Sequence, residues 1–219
     1  MQASPPTTRV TRAATAARSR VIDLLQEDHR RIKQAYREFL RLDAQRNGDL
    51  CESIVRRTLA ELRVHAALEE ELLYPLLRPI VTDVEAVDEA EVEHEIVRYL
   101  GEQLDASHAV DEKFAARFSV LCEYVLHHVK EEEGELFPQL KRAKLDWEGL
   151  LDEFMARRQA LQAADGRLDS MVARESGEYV AERGEDSQLP ADEHGVLLNG
   201  RLAGRPAHYE AGTITSRKI

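Results

Sequence analysis

Two stretches of the sequence place a histidine four residues before a glutamate and follow the pair with an aromatic residue and a proline. The first, "HAALEEELLYP", begins at His65, and the second, "HVKEEEGELFP", begins at His128. Residues i and i+4 share one face of a helix, so Glu69 would project beside His65 and Glu132 beside His128. Imidazole and carboxylate groups ligate iron, zinc, manganese and copper. The spacing therefore predicts metal chemistry.

Two further histidines precede these stretches at similar distances. His29 lies 36 residues before His65, and His94 lies 34 residues before His128. The chain thus reads as two copies of one helix pair, each carrying a histidine and then His-x-x-x-Glu. A pseudo-two-fold arrangement of the copies would place two histidines at each of two metal positions. The two glutamates would then bridge between the metals.

The second copy contains two adjacent histidines, each followed by a glutamate at the fourth position. The aromatic-proline pair lies nine and ten residues after His65, and the same offsets hold for His128 but not for His127. Only His128 also falls on the apolar stripe of its helix. We therefore predict that His128 is the ligand and that His127 is a surface neighbour or a supporting hydrogen-bond donor.

A core without metal would hold these groups at a high cost. A lone histidine on an apolar face is most often an ordinary core residue. Four imidazoles and two carboxylates buried together without partners would cost several kcal/mol. A pair of cations would neutralise the carboxylates and use the imidazole lone pairs. The set as a whole therefore favours a metal site, although each histidine alone would not.

Each of the four histidines falls on an apolar stripe with helical spacing. Alternating steps of three and four define such a stripe, as in Ile22, Leu25, His29, Ile32, Tyr36 and Phe39. Four helices of this kind with short connections form an antiparallel, up-down-up-down four-helix bundle. Residues 138–163 read as a fifth helix or a short helix pair. The predicted fold class is all-α, with an additional C-terminal helix and a largely irregular tail.

Composition narrows the classes of partner and compartment. A net charge of −11 argues against nucleic-acid binding, because phosphate backbones repel an acidic chain. The sequence contains no apolar run near the ~20 residues of a membrane helix. Its two cysteines form neither a disulfide framework nor a metal motif, which favours a reducing, cytoplasmic location.

The ends of the chain differ from its centre. We predict a flexible basic arm over residues 1–19, the helical domain with its following helix over 20–163, and an irregular or disordered tail over 164–219. Seven of the eleven glycines fall in the last 55 residues, and apolar residues there show no period. Short apolar pieces in this tail suggest docking to a protein partner. The sequence leaves the oligomeric state open.

The quoted motifs, together with "EDHRRI" and "EHEIV", resemble the hemerythrin-like family, also known as HHE cation-binding domains. The resemblance covers roughly residues 20–160. It implies a four-helix bundle that holds two iron ions in an oxo- or hydroxo-bridged non-haem di-iron centre. The metal ligands implied at the matching positions are His29, His65, Glu69, His94, His128 and Glu132.

The sequence departs from oxygen-carrying hemerythrins in two places. Arg98 stands four residues after His94 where that family has a histidine, and Glu132 follows His128 at four residues instead of an aspartate at five. The pattern resembles a six-ligand branch with four histidines and two glutamates. This resemblance implies O₂, H₂O₂ or NO as the ligand, in stress response, sensing or protection of iron centres. An enzyme reactive with peroxide or NO stays open.

An iron- or oxygen-sensing module, whose tail docks a partner or targets a compartment, is the alternative function.

Two subsidiary expectations concern neighbours of the ligands. Acidic residues beside the ligands would orient the ligand histidines or simply form a solvated face. Inward-facing tyrosines would hydrogen-bond a bound molecule or pack in the core. The residues concerned are Glu70, Glu71, Glu133, Tyr36 and Tyr124.

Overall fold

The structure is a computed structural model, which describes the backbone of residues 12–183 and the side chains of residues 12–165. Every regular element in this part of the chain is helical, which confirms the all-α prediction. Two five-residue π-helical turns, Glu69–Leu73 and Glu132–Leu136, interrupt the α-helices. The α-helices are α1 (Arg12–Phe39), α2 (Gly48–Leu68), α3 (Tyr74–Leu77), α4 (Glu85–Asp105), α5 (Phe114–Glu131), α6 (Phe137–Leu140) and α7 (Trp147–Arg183).

Helices α1, α2, α4 and α5 form the predicted four-helix bundle. Contacts join α1 to α2, α2 to α4, α4 to α5 and α5 back to α1, so the four helices close a ring around a shared core. The connections between them are short, and short connections reverse the chain direction at each step. The Asp83 carboxylate accepts a hydrogen bond from the backbone N–H of Glu85, the first residue of α4, at 3.0 Å, whereas Val84 stands at the N-cap and makes no side-chain cap bond.

The bundle core consists of two apolar clusters with polar residues between them. Along α1, Leu25 belongs to one cluster and Ile32 to the other, and His29 lies between them. Along α4, Ala90 and Val97 flank His94 in the same way. The helices therefore carry the histidines to a common depth, sealed by apolar layers above and below.

The aromatic-proline pairs account for the two π-helical turns. Proline has no N–H and clashes with the carbonyl four residues earlier in a regular helix. Here the helix widens just before each proline: the N–H of Tyr74 bonds the carbonyl of Glu69, and the N–H of Phe137 bonds that of Glu132, each five residues back. Such turns are rare and concentrate at functional sites. Both widened turns begin at a predicted metal ligand.

The helices extend further at both ends of the chain than the sequence predicts. Helix α1 begins at Arg12, inside the predicted arm, because its first turns are rich in alanine and arginine, and Ala17 is buried against the core. Helix α7 runs to Arg183, so the predicted boundary at residue 164 falls within a helix. The remaining tail, residues 184–219, and residues 1–11 lie outside the described residues.

Helix α7 packs on the bundle through one apolar face. Trp147, Leu150 and Phe154 are buried in the same apolar cluster as Tyr74 and Phe137. None of the described helices combines the length and apolarity that a bilayer-spanning segment needs.

Candidate metal centre

The structure brings all six predicted ligand side chains together inside the bundle. Each of them is buried, with 5% or less of its surface exposed. Helix α1 contributes one histidine, α4 another, and α2 and α5 each contribute a histidine with the glutamate that begins the following π-helical turn. These residues are His29, His65, Glu69, His94, His128 and Glu132.

The first candidate metal position lies between α1 and α2. The Nε2 atoms of His29 and His65 are 3.1 Å apart. Glu132 places Oε2 3.3 Å from His29 Nε2, and Glu69 places Oε1 3.2 Å from His65 Nε2. The four ligand atoms therefore face one another at distances that suit a shared cation.

The second candidate position lies between α4 and α5 and is looser than the first, because it groups Glu69, His94 and His128 with Glu132 farther away. The Nε2 atoms of His94 and His128 are 3.3 Å apart. Oε2 of Glu69 lies 3.5 Å from His94 Nε2 and 4.0 Å from His128 Nε2, and Oε2 of Glu132 lies 4.0 Å from His128 Nε2. Each glutamate therefore faces both histidine pairs, which is the arrangement that bridging carboxylates require.

Each buried glutamate is followed directly by a second glutamate, and this second residue bonds a histidine of another helix. Glu133 accepts a hydrogen bond from Nδ1 of His29 at 2.7 Å, and Glu70 accepts one from Nδ1 of His94 at 2.8 Å. A carboxylate on Nδ1 fixes the ring orientation and leaves the Nε2 lone pair pointing inward. These two residues have the orienting geometry expected for them.

The other two histidines face carboxylates that were not predicted from the sequence. Glu93 accepts a hydrogen bond from Nδ1 of His128 at 2.9 Å, and Asp28 Oδ2 lies 3.5 Å from Nδ1 of His65. Burial alone would raise the pKa of Asp28, but His65 and Arg158 hold it down to about 2. An available signal was the acidic residue directly before the first histidine of each copy.

The two central glutamates differ in how readily they hold a proton in the metal-free chain. Burial and the neighbouring Glu132 raise the pKa of Glu69 well above its usual range. Burial also acts to raise the pKa of Glu132, but the hydrogen bond and charges of the surrounding imidazoles hold it below the usual range. Cation binding would therefore displace a proton from Glu69.

Two of the imidazoles are kept neutral by their surroundings. Burial lowers the pKa of His65 to about 4, and burial also lowers the pKa of His94. Burial acts in the same direction on His128, but Glu93 and the other nearby carboxylates raise its pKa overall. Neutral imidazoles present the lone pairs that metal ligation needs.

Several buried ligand atoms lack hydrogen bonds within the described part of the chain. Among the inward-facing ligand atoms they are Oε1 of Glu69 and both carboxylate oxygens of Glu132. Nδ1 of His65 and Oδ2 of Asp28 also lack hydrogen bonds in this part of the chain and face each other at 3.5 Å as an ion-pair contact. Buried polar atoms are nearly always satisfied, and a buried carboxylate without a partner costs several kcal/mol. A set of two carboxylates and four inward-facing imidazoles fits a pair of cations, which would supply these partners.

Two aromatic rings cover the centre and distinguish its halves. Phe137 stacks on His29 with ring centroids 6.0 Å apart, and Tyr74 stacks on His94 at 5.7 Å. The Tyr74 hydroxyl donates to Glu69 Oε2 at 3.4 Å, whereas Phe137 has no hydroxyl to do the same for Glu132. The two-fold symmetry is therefore broken at one glutamate.

Other residues singled out in the sequence lie away from the centre. His127 is 59% exposed and pairs with Glu131 at 3.1 Å, as expected of a surface neighbour. Glu71 pairs with Arg157 at the surface, so of its two predicted roles it belongs to the solvated acidic face and does not orient a ligand histidine. Tyr36 packs against Phe118. The prediction that Tyr124 faces inward is wrong, because this residue is exposed.

Comparison with known proteins identifies the family. Residues 20–140 match the model of the hemerythrin HHE cation-binding domain, and the chain belongs to this family. The fold resembles the crystal structure of a hemerythrin HHE cation-binding domain-containing protein from Mycobacterium kansasii, with a TM-score of 0.55 and 21% identity. That similarity covers 65% of this chain and 86% of the other.

A curated relative shares only part of its length with this chain. A DNA nickase from Nostoc sp. is 25% identical over 132 residues, which is 60% of this chain. The matched region spans only 36% of the nickase. The family and the buried His/Glu cluster together support a cation-binding, hemerythrin-like protein.

Proposed function

We propose that this chain holds two iron ions in an oxo- or hydroxo-bridged centre and binds or reacts with O₂, H₂O₂ or NO. One observation carries the proposal: two pairs of histidine Nε2 atoms face the same two buried glutamates. Carboxylate-bridged metal pairs in four-helix bundles are typically di-iron or di-manganese. The nitrogen-rich ligand set favours iron over manganese.

The ligand count supports reactivity with a small molecule. Two imidazoles and two shared carboxylates give each metal position about four protein ligands, whereas iron commonly takes six. Open positions allow a metal to bind or activate a further ligand. Because all six ligand residues are buried, that ligand must be small. The chemistry suits a role in oxidative or nitrosative stress within a reducing cytoplasm.

The adjacent histidines of α5 provide a matched test of the metal site. His128→Ala removes an inward Nε2, whereas His127→Ala removes an exposed ring of the same type one residue away. We expect His127→Ala to retain the iron content of the unsubstituted chain and His128→Ala to lose at least one of its two iron ions. Equal iron content in the two variants would contradict the proposed ligand set.

Reactivity is tested on the reduced iron form prepared without oxygen. Separate exposure to O₂, H₂O₂ and NO, followed optically and by EPR, distinguishes the roles that the proposal leaves open. Sustained consumption of H₂O₂ would identify an enzyme, and a stable adduct would identify a carrier or sensor. Iron spectra that respond to none of the three molecules would reject the proposed reactivity while leaving cation binding intact.

Nucleic-acid activity is not proposed for this chain. The nickase relative extends far beyond the matched region, and the charge of −11 disfavours contact with phosphate backbones. We therefore expect the iron-loaded chain to leave supercoiled plasmid intact in the presence of a radical scavenger.

One contact favours a sensing module as the second candidate function. Arg158 of α7 bonds Asp28, which faces the ligand His65, so the helix that leads to the tail touches the metal centre. In this alternative, the state of the iron pair is communicated to a partner of the tail. Deleting residues 184–219 should then abolish partner capture without changing iron content. Unchanged capture would exclude the tail as the docking segment.

A further inference from the structure

Helix α7 lies beyond the matched family domain but reaches the metal centre with one side chain. The family match ends at residue 140, whereas α7 begins at Trp147. Phe154 of α7 is fully buried in the apolar cluster beneath the centre, and Arg158 follows one helical turn later. Residues four apart share a helix face, so the packing of Phe154 directs Arg158 toward the bundle.

The contact of Arg158 is with Asp28. Its Nη2 atom donates a hydrogen bond to Asp28 Oδ1, and the Arg158 side chain is only 12% exposed. Arg31 bonds the same oxygen from the rim of the bundle, but its side chain is 45% exposed. Because a buried charge is screened less by water, Arg158 is the main counter-charge of Asp28.

Asp28 differs from the other three carboxylates that face histidine Nδ1 atoms. Its side chain is 2% exposed, whereas those of Glu70, Glu93 and Glu133 are between 15% and 32% exposed. A carboxylate that water reaches needs no fixed cation. A fully buried carboxylate does need one, since burying it unpaired costs several kcal/mol.

We propose that Arg158 is a positioning residue of the metal centre, which holds Asp28 against His65 and thereby strengthens one of the two metal positions. This inference rests on the proposed metal function. The affected position is the one formed by His29 and His65. The other position, between α4 and α5, has Glu93 in place of Asp28, and within the described side chains no arginine of α7 bonds Glu93.

The neighbouring arginine supplies a matched control. Arg157 also comes from α7 and also bonds a glutamate, Glu71, but this pair lies at the surface with about two-fifths of each side chain exposed. Arg157→Met and Arg158→Met remove the same charge from adjacent positions of one helix. Only the second removes a contact that leads to a ligand.

The test is titration of the full-length, metal-free chain with Fe²⁺ under anaerobic conditions, repeated with Co²⁺ for its visible absorption. We expect Arg158→Met to lower the affinity for one of the two bound metal ions by about 10-fold or more, because losing a group that supports a ligand histidine has an effect of this size. The affinity for the other metal ion, and both affinities of the Arg157→Met variant, should match those of the unsubstituted chain. The visible bands of one bound Co²⁺ should change, which helix docking alone would not produce.

A conservative substitution keeps the inference testable if Arg158→Met does not fold. Arg158→Lys retains the charge but loses the planar fork, and should lower the affinity for the same metal ion by roughly threefold or more relative to Arg157→Lys. Equal metal affinities in the matched Arg157 and Arg158 variants would overturn the role of Arg158. So would an equal loss of affinity at both metal positions. An unsubstituted chain that binds neither Fe²⁺ nor Co²⁺ would instead overturn the proposed function itself.

Discussion

Replacing Glu69 with glutamine should stabilise the metal-free protein while weakening its hold on metal. Glu69 is fully buried, and burial together with the nearby Glu132 raises its pKa well above the usual value of 4.5. We expect the folded metal-free chain to keep a proton on this group at pH 7, whereas the unfolded chain leaves it ionised. Glutamine has the shape of the protonated acid and is neutral in both states.

The difference between pH 7 and the ordinary pKa sets the size of the effect. At about 1.4 kcal/mol for each pH unit, protonating Glu69 costs at most about 3.5 kcal/mol. We expect Glu69→Gln to raise the free energy of unfolding of the metal-free protein by about 1–3 kcal/mol. For a chain of this length the midpoint temperature should rise by roughly 2–4 °C per kcal/mol.

The pH dependence of the effect provides an internal check. A group whose folded pKa is raised destabilises the fold above its unfolded pKa, and the penalty disappears as the pH falls toward that value. The stability gap between Glu69→Gln and the unsubstituted chain should therefore close between pH 7 and about pH 4.5. With iron bound, the order should reverse, because the unsubstituted chain alone offers two bridging carboxylates.

Urea unfolding of chelator-treated protein at several pH values measures this directly. Glu71→Gln serves as the control, because that exposed glutamate pairs with Arg157 at the surface, and it should change stability by about 0.5 kcal/mol or less. A metal-free Glu69→Gln protein that is less stable at pH 7 would refute the reasoning. So would a stability gap that does not depend on pH.

Three further predictions concern the surroundings of the centre. Tyr74→Phe should fold with a loss of about 1 kcal/mol or less and retain both metals, because Phe137 fills the matching place in the second copy; calorimetry and metal analysis check this. Asp146→Ala should lower the free energy of unfolding in urea by about 1 kcal/mol, because the Asp146 carboxylate accepts a hydrogen bond from the N–H of Gly149 at the start of α7. Unchanged stability would count against this cap. Burial raises the pKa of the Cys122 thiol to about 12 and also raises the pKa of the Cys51 thiol. Neither thiol should therefore react with iodoacetamide at pH 7.5 in the folded protein. Rapid alkylation without denaturant would contradict their burial.

The ligand constellation could be predicted because a helix converts sequence spacing into direction. His65 and Glu69 share a face at i and i+4, and the aromatic-proline offset distinguishes His128 from His127 in the sequence alone. The same offset has a structural meaning that spacing did not reveal. The prolines widen the helix into π-helical turns that begin at Glu69 and Glu132.

The supporting contacts could be predicted only in part, because they join residues far apart in the chain. Asp28 and Glu93 each serve a histidine of a different helix, and Arg158 lies 130 residues from the carboxylate it bonds. Such pairs depend on how the helices rotate and pack. The length of α7 was missed for another reason: residues 164–183 have no consistent apolar stripe, although alanine, glutamate and arginine favour a helix there.

Iron analysis and EPR on one oxidised, iron-loaded sample test the central claim most directly. Two iron ions that share bridging ligands couple their spins, so the paired centre predicts about two irons per chain with little ferric EPR signal. The His128→Ala variant should lose this coupled state. One iron per chain with the strong EPR signal of an isolated ferric ion would contradict a shared centre, as would a chain that retains no iron.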